Sequence, residues 1–245
     1  MGARVAGGCL ALFAACGFKA GPGIGSDASR DAPSIDSSID GSSIDSAIDA
    51  MIDVPSQSQC SSSGTMDTFQ GNTPCSPWAT FDSTNGATTT QMGGKLRVAE
   101  PAASTGSSHG GCFATGLTAW GSEGVFINVE QALVGVTSYT ALTAYVAAGT
   151  AATIVVENGT MIVRSPGGMT VGSRTYVPAQ MQWWRLRPVA NGVVGETSPD
   201  ALIWTAVGTV VGVAPTMIRI DISAGTSGVE AAAGTAVFDN LSVCP

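Results

Sequence analysis

The chain has 245 residues, of which only 11% are charged, and its formal net charge is −8. No cluster of lysine or arginine occurs in it, so the electrostatic footprint of a nucleic-acid-binding protein is missing. No stretch reaches the roughly 20 apolar residues that a membrane-spanning helix needs.

Residues 1–16 are predicted to be an export signal. Arg4 supplies a positive charge, a short apolar run extends from Val5 to Ala15, and Cys16 follows directly after small residues. This pattern is typical of a secretory signal peptide, and its end, LFAAC, resembles the lipobox of bacterial lipoproteins. We therefore predict lipidation at Cys16, with an ordinary signal peptide cut near Ala15 as the alternative. A lipid anchor is the only membrane contact that we expect.

Residues 17–59 contain an Ile-Asp pair that recurs five times, together with many serines. The isoleucine spacing suits one face of a helix, but the serine, glycine and aspartate neighbours disfavour helix formation. The aspartates are also too far apart for a calcium-binding loop, and no glutamate closes one. So few apolar residues cannot offset the entropy of ordering the segment, which predicts a disordered acidic linker.

Residues 60–245 are predicted to form one all-β domain. Ten short apolar and β-branched runs, among them GVVGETS, LIWTAV and TAVFDNLSV, alternate with turn residues, which is typical of an antiparallel sandwich or barrel. Asn158-Gly159 and Asn191-Gly192 predict tight hairpins, and the SPDA sequence at 198–201 predicts a type I turn.

Four cysteines in this domain are predicted to form two disulfides. Cys60, Cys75, Cys112 and Cys244 have no CxxC spacing, and His109 is the only histidine of the chain, so we expect no zinc site. Three pairings are open. We favour Cys60–Cys244, because the first and last strands of a sandwich are often neighbours, which leaves Cys75–Cys112.

Several motifs together resemble those of a known fold. DTF, GGKLRV, QWWRLRPVANGVVGETSPDALIW and GTAVFDNLSV, between residues 67 and 243, resemble the concanavalin A-like lectin/glucanase family, and more narrowly its laminin-G-like and DUF1349-like modules. Ala201 stands where that pattern usually has glycine. The resemblance implies an antiparallel jelly-roll β-sandwich, and the linker resembles those of myxobacterial surface lipoproteins.

The sequence offers no evident catalytic constellation. The E-x-D-x-x-E string of jelly-roll glucanases is absent, and Glu196 and Asp200 lie four residues apart across a predicted turn. His109 lies in a Gly/Ser-rich stretch that we interpret as a loop, without a nucleophile elbow. We therefore expect a chain that is not an enzyme and has no catalytic residues, cofactor or metal.

A ligand site is predicted on the strand QMQWWRLR. Period-two alternation places Leu186 towards the core and Trp183, Arg185 and Arg187 on the opposite face. An aromatic plane beside guanidinium donors could hold a sugar. Alternatively, the two arginines form cross-strand ion pairs with Glu196 on the next strand.

The combined prediction is an exported lipoprotein of the outer membrane or cell surface, or else a periplasmic or secreted protein. Its expected function is non-catalytic binding of a polysaccharide or other glycan, or adhesion. The alternatives are a structural envelope protein that contacts a protein partner, and a glycan-active hydrolase or lyase.

Overall fold

The computed structural model describes residues 60, 64–81, 85–146 and 149–245. The predicted signal peptide, the lipidation residue Cys16 and the linker at 17–59 lie outside these residues and stay predictions. Within the described part, the secondary structure is β-strands and two short 3-10 helices, Pro166–Gly168 and Pro178–Gln180. The all-β prediction is confirmed.

The strands form two large antiparallel sheets and one small one, and we number them in chain order. Sheet A contains β1 (Thr65–Asp67), β3 (Thr88–Met92), β4 (Lys95–Ala99), β8 (Val125–Gln131), β13 (Trp183–Val189), β14 (Gly192–Ser198), β15 (Thr205–Val211) and β18 (Thr235–Val243). Sheet B contains β2 (Ala79–Thr80), β6 (Ser108–Phe113), β7 (Thr118–Ala119), β9 (Ser138–Val146), β10 (Gly149–Glu157), β11 (Thr160–Arg164), β12 (Thr170–Thr175) and β16 (Met217–Thr226). The small sheet pairs β5 (Ser104–Thr105) with β17 (Val229–Glu230).

The strand order is that of a sandwich in which the chain passes repeatedly from one sheet to the other. Sheet A runs β15-β14-β13-β8-β18-β4-β3, and sheet B runs β12-β11-β10-β9-β16-β6-β2. Two meanders of consecutive hairpins, β13-β14-β15 and β9-β10-β11-β12, lie in different sheets, and non-consecutive strands complete each sheet. The antiparallel sandwich prediction is therefore confirmed.

The hairpin turns follow the local sequence closely. Asn158 and Gly159 have φ of 46° and 68°, as a type I′ turn requires. At the second hairpin, Gly192 pairs with Val189, so the predicted turn is shifted back by one residue. Ala201 has φ of 61°, the left-handed region that glycine adopts most easily.

The core lies between the two sheets and follows from period-two alternation. On β16, Ile218, Ile220 and Ile222 are at most 1% exposed, and Trp184 and Leu186 of β13 are fully buried. Burying a large apolar side chain stabilises the fold by about 1.5–3 kcal/mol. The intervening residues on each strand therefore face outward, away from the core.

Two disulfides connect distant parts of the chain. They join Cys60 to Cys244 and Cys75 to Cys112, with Cα–Cα distances of 5.3 and 5.4 Å. This is the pairing that the sequence analysis favours, and β1 does pair with the last strand, β18. Two disulfides indicate a periplasmic or extracellular protein. Over the described residues, the structure contains no helix with the length and apolar character needed to cross a membrane.

Candidate functional site

The residues predicted to bind a ligand lie together on the outer face of sheet A. Trp183, Arg185 and Arg187 are partly exposed on β13, while Trp184 and Leu186 between them are fully buried. Arg185 is directly opposite Glu196 of β14 in the register of the two strands.

Both arginines form ion pairs with Glu196. The Arg185 and Arg187 Nε atoms lie 2.8 and 2.9 Å from Glu196 Oε2, and Arg187 Nη2 lies 3.2 Å from Oε1. The Glu196 side chain is only 7% exposed, and the Arg185 guanidinium stacks 4.0 Å from the centre of the Trp204 ring. The two arginines thus form the cross-strand ion pairs that the sequence left as the alternative. A ligand-binding role of this surface stays a prediction.

A second polar surface lies along the outer face of sheet B, at strand β16. Asp221, Ser223 and Gly225 alternate with the buried isoleucines of β16 and therefore face outward. Asp221 is nevertheless only 3% exposed, and the outward-facing Ala141 of β9, which pairs with Ser223, is 5% exposed. Larger side chains on the neighbouring strands therefore partly cover these residues. We call this strip of β16, together with the side chains that flank it, the β16 groove.

Aromatic side chains form both walls of the β16 groove. On one side, the Phe81 ring lies 6.3 Å from the His109 ring and 5.2 Å from the Phe113 ring. On the other side, Tyr139 and Tyr145 face outward from β9, opposite Gly225 and Arg219 of β16. All five of these residues are partly exposed, so part of each side chain is accessible to a ligand.

Charged groups occupy one end of the groove. Arg219 Nε and Nη2 lie 3.2 and 3.3 Å from the two Asp221 carboxylate oxygens, and the guanidinium lies 4.6 Å from the centre of the Tyr145 ring. Burial raises the pKa of Asp221, and the Arg219 charge and hydrogen bond oppose that shift. Burial and nearby negative charges raise the pKa of Tyr139 to about 12. The groove thus offers ionic and phenolic hydrogen-bonding groups between aromatic walls.

The β16 groove was not predicted from the sequence, although part of the signal was available. The run MIRIDIS alternates apolar residues with Arg219, Asp221 and Ser223, which is the pattern of a strand with one polar face. The interpretation of His109 as a loop residue is wrong, because it lies within β6 and pairs with Gly225 across the sheet. What no local pattern could reveal is that β6 and β9 flank β16.

A cysteine–glutamate group and a shallow pocket are two further candidate sites, and neither has the properties of one. Cys60, Cys244 and Glu123 lie close enough to suggest a metal site, but the two sulfurs are joined in a disulfide. A shallow pocket of about 190 Å³ beside Trp78 and Leu117 is lined by small and apolar residues without a charged side chain.

Comparison with known proteins identifies the fold. No protein-family model and no curated protein matches the sequence. The GlcNAcα1-4Gal-releasing endo-β-galactosidase from Clostridium perfringens is similar in structure, with a TM-score of 0.52 at 10% identity over 73% of this chain and 61% of that chain. The β-glucanase from Bacillus licheniformis has a TM-score of 0.50 at 10% identity over 76% of this chain and 99% of that one. This chain thus spans about three fifths of the length of the endo-β-galactosidase.

These similarities correct the expectation that the chain is not an enzyme. Both neighbours carry the names of glycan-cleaving enzymes. Our expectation depended on local patterns alone: the missing carboxylate string, the turn between Glu196 and Asp200, and the lack of a nucleophile elbow near His109. Catalytic groups can also come together from separate strands, which no local pattern reveals. At 10% identity the comparisons show the fold alone, a jelly-roll β-sandwich that this chain shares with the two neighbours.

Proposed function

We propose that the chain is an exported glycan-binding protein and that the β16 groove holds a polysaccharide. The observation that carries this proposal is the arrangement of aromatic walls on either side of a narrow polar floor. Sugar rings present apolar faces that pack against aromatic planes and hydroxyl groups that need hydrogen-bonding partners. The β16 groove supplies both in one place.

The floor and the walls have distinct roles in this proposal. The Asp221 carboxylate accepts hydrogen bonds from sugar hydroxyl groups, and Arg219 donates them from a plane held by Asp221 and Tyr145. The ring faces of Tyr145 and Phe113 pack against the sugar on opposite sides of β16. The groove direction follows β16, so it suits an extended chain of sugar units.

The predicted export signal at residues 1–16 implies that the protein acts outside the cytoplasm. Lipidation at Cys16 and the acidic linker at 17–59 would display the domain at a distance from a membrane, in the outer membrane or at the cell surface. The two disulfides support an oxidising compartment. A structural envelope protein stays the alternative prediction, and the aromatic groove favours the glycan proposal over it.

Glycan cleavage is the second candidate function, because Asp221 is a buried carboxyl group at the floor of the groove. Glycoside hydrolysis generally uses two carboxyl groups about 5–10 Å apart. Glu157 is the other acidic residue facing outward from the described strands of sheet B, two strands away and four positions further along. Strand geometry places its Cα about 16 Å from that of Asp221. Cleavage would therefore require a partner for Asp221 other than Glu157.

The test is a polysaccharide screen of the purified full chain that records binding and cleavage together. Binding is measured by affinity electrophoresis against neutral and acidic polysaccharides, and cleavage by the appearance of new reducing or unsaturated ends. Retention by at least one polysaccharide supports the proposal, and new chain ends would add the enzymatic function. No retention and no cleavage across the panel would contradict both candidate functions.

A further inference from the structure

The small sheet of β5 and β17 lies at the end of sheet B, where β6 begins and β16 ends. Ser104 of β5 pairs with Glu230 of β17, and Ser108 of β6 pairs with Thr226 of β16. Several oxygen atoms converge where these strands meet. We call this group the Glu100 oxygen cluster; it comprises the side-chain oxygens of Glu100, Ser104, Ser108 and Thr226 and the carbonyl oxygens of Gly106 and Gly228.

The atoms of the Glu100 oxygen cluster lie close together. Thr226 Oγ1 is 3.0 Å from Ser104 Oγ, 3.1 Å from Ser108 Oγ and 3.2 Å from the Gly106 carbonyl oxygen. Ser104 Oγ lies 3.4 Å from the Gly228 carbonyl oxygen. The Ser108 hydroxyl group donates to Glu100 Oε2.

The cluster is buried, and one of its oxygens has no partner. Glu100 is 8% exposed, Ser104 is 2% exposed, and Ser108 and Thr226 are fully buried. Glu100 Oε1 is buried without a hydrogen-bond partner. A buried carboxylate with an unsatisfied oxygen is unfavourable unless a positive charge compensates it. None of the cluster's own members is a cationic side chain; His109 of β6 acts electrostatically on Glu100 but is not a hydrogen-bond partner of Oε1.

We propose that the Glu100 oxygen cluster is a calcium site. Calcium takes six to eight oxygen ligands from carboxylates, carbonyl groups, hydroxyl groups and water at about 2.3–2.6 Å, a distance that sets neighbouring ligand oxygens about 3 Å apart. The cluster supplies oxygens of these kinds at that spacing. It contains neither nitrogen nor sulfur ligands, which disfavours zinc.

A single carboxylate predicts weak binding. Calcium affinity depends on the number of charged ligands and on the rigidity of the site, so with one carboxylate the expected dissociation constant is about 10⁻⁴ to 10⁻³ M, the range of extracellular modules. Such a site fills at the calcium concentrations outside cells. The ion would fix the β5–β17 sheet to the end of sheet B. No metal was expected from the sequence because hydroxyl and carbonyl oxygens from separate strands leave no spacing pattern that could be recognised along the chain.

The test measures calcium binding by the EDTA-treated full chain, with thermal unfolding and isothermal titration calorimetry. Addition of about 10 mM Ca²⁺ is expected to raise Tm by about 3–6 °C at a dissociation constant near 1 mM. Glu100→Gln should abolish this shift. Glu130→Gln, which removes an exposed carboxylate on β8, is the matched control and should retain it. Mg²⁺ at equal ionic strength should change Tm by less than about 1 °C, because it requires a tighter octahedral site.

Three results would overturn the proposal: no calcium shift in the wild type, an equal shift in Glu100→Gln, or an equal shift with Mg²⁺. The first would mean that a proton or a water molecule satisfies Glu100 instead. If Glu100→Gln does not fold, Ser104→Ala provides the second variant. It should weaken calcium binding about 10-fold in calorimetry, and unchanged affinity would reject the site.

Discussion

Replacing Glu196 by glutamine tests whether the charged cluster on sheet A stabilises the fold. Glutamine keeps the size of the side chain but removes the charge that the Arg185 and Arg187 guanidinium groups share. Glu196 is 7% exposed and Arg185 is 16% exposed, so water screens the pair poorly. Removing one partner of a buried ion pair costs about 3–5 kcal/mol. Since Arg187 is 33% exposed, we expect the lower end, about 3 kcal/mol.

Urea and thermal unfolding of Glu196→Gln measure this loss. For a domain of this size, about 3 kcal/mol corresponds to a decrease in Tm of about 6–12 °C. The matched control is Glu130→Gln, whose pair with Lys95 is about one-third exposed on both sides; an exposed pair contributes at most about 1 kcal/mol. If Glu196→Gln loses no more stability than Glu130→Gln, the structural role of the cluster is refuted.

Three further predictions concern the disulfides, the groove floor and one turn. Replacing Cys75 and Cys112 by alanine removes a disulfide that closes a loop with a sequence separation of 37. The loop-closure entropy predicts a decrease of about 4 kcal/mol in the free energy of unfolding. A decrease below about 1 kcal/mol in urea denaturation would contradict this prediction. Because burial raises the pKa of Asp221 above 3.8, the wild type should lose stability as the pH rises from about 4 through that raised pKa. Asp221→Asn should remove this pH-dependent loss of stability. If the urea midpoints of the wild type and the variant change with pH in the same way over that range, Asp221 does not have a raised pKa in the folded protein. Ala201→Gly should change the free energy of unfolding by less than about 0.5 kcal/mol, because relief of the left-handed conformation is offset by the greater freedom of glycine in the unfolded chain and by the loss of a buried methyl group. A change in Tm of more than about 2 °C in thermal unfolding would contradict this balance.

The sequence predicted the longer strands well because each is a short apolar and β-branched run between turn residues. The strands β14 and β18 coincide with the runs GVVGETS and TAVFDNLSV. The run LIWTAV is an exception: β15 begins only at Thr205, because Asp200 accepts hydrogen bonds from the backbone amides of Leu202 and Ile203 and holds them in the preceding loop.

The candidate site was harder to predict because it depends on which strands are neighbours. Trp183 could be predicted as a site residue because it lies in a recognisable strand motif. The period-two alternation of that strand is enough to place its side chain on the outer face. The β16 groove needs His109, Tyr139 and Asp221 from three strands that are far apart in the sequence. Strand order within a sheet is a long-range property, so a pattern within one strand cannot reveal it.

The most direct test of the proposed function compares variants of the two aromatic surfaces against a polysaccharide that the wild type binds. Tyr145→Ala removes a wall of the β16 groove, whereas Trp183→Ala removes a partly exposed ring from the outer face of sheet A. In isothermal titration calorimetry, we predict that Tyr145→Ala weakens binding at least about 10-fold, or about 1.4 kcal/mol, and that Trp183→Ala binds as the wild type does. Loss of binding in Trp183→Ala with unchanged affinity in Tyr145→Ala would contradict the assignment to the β16 groove and move the site to sheet A.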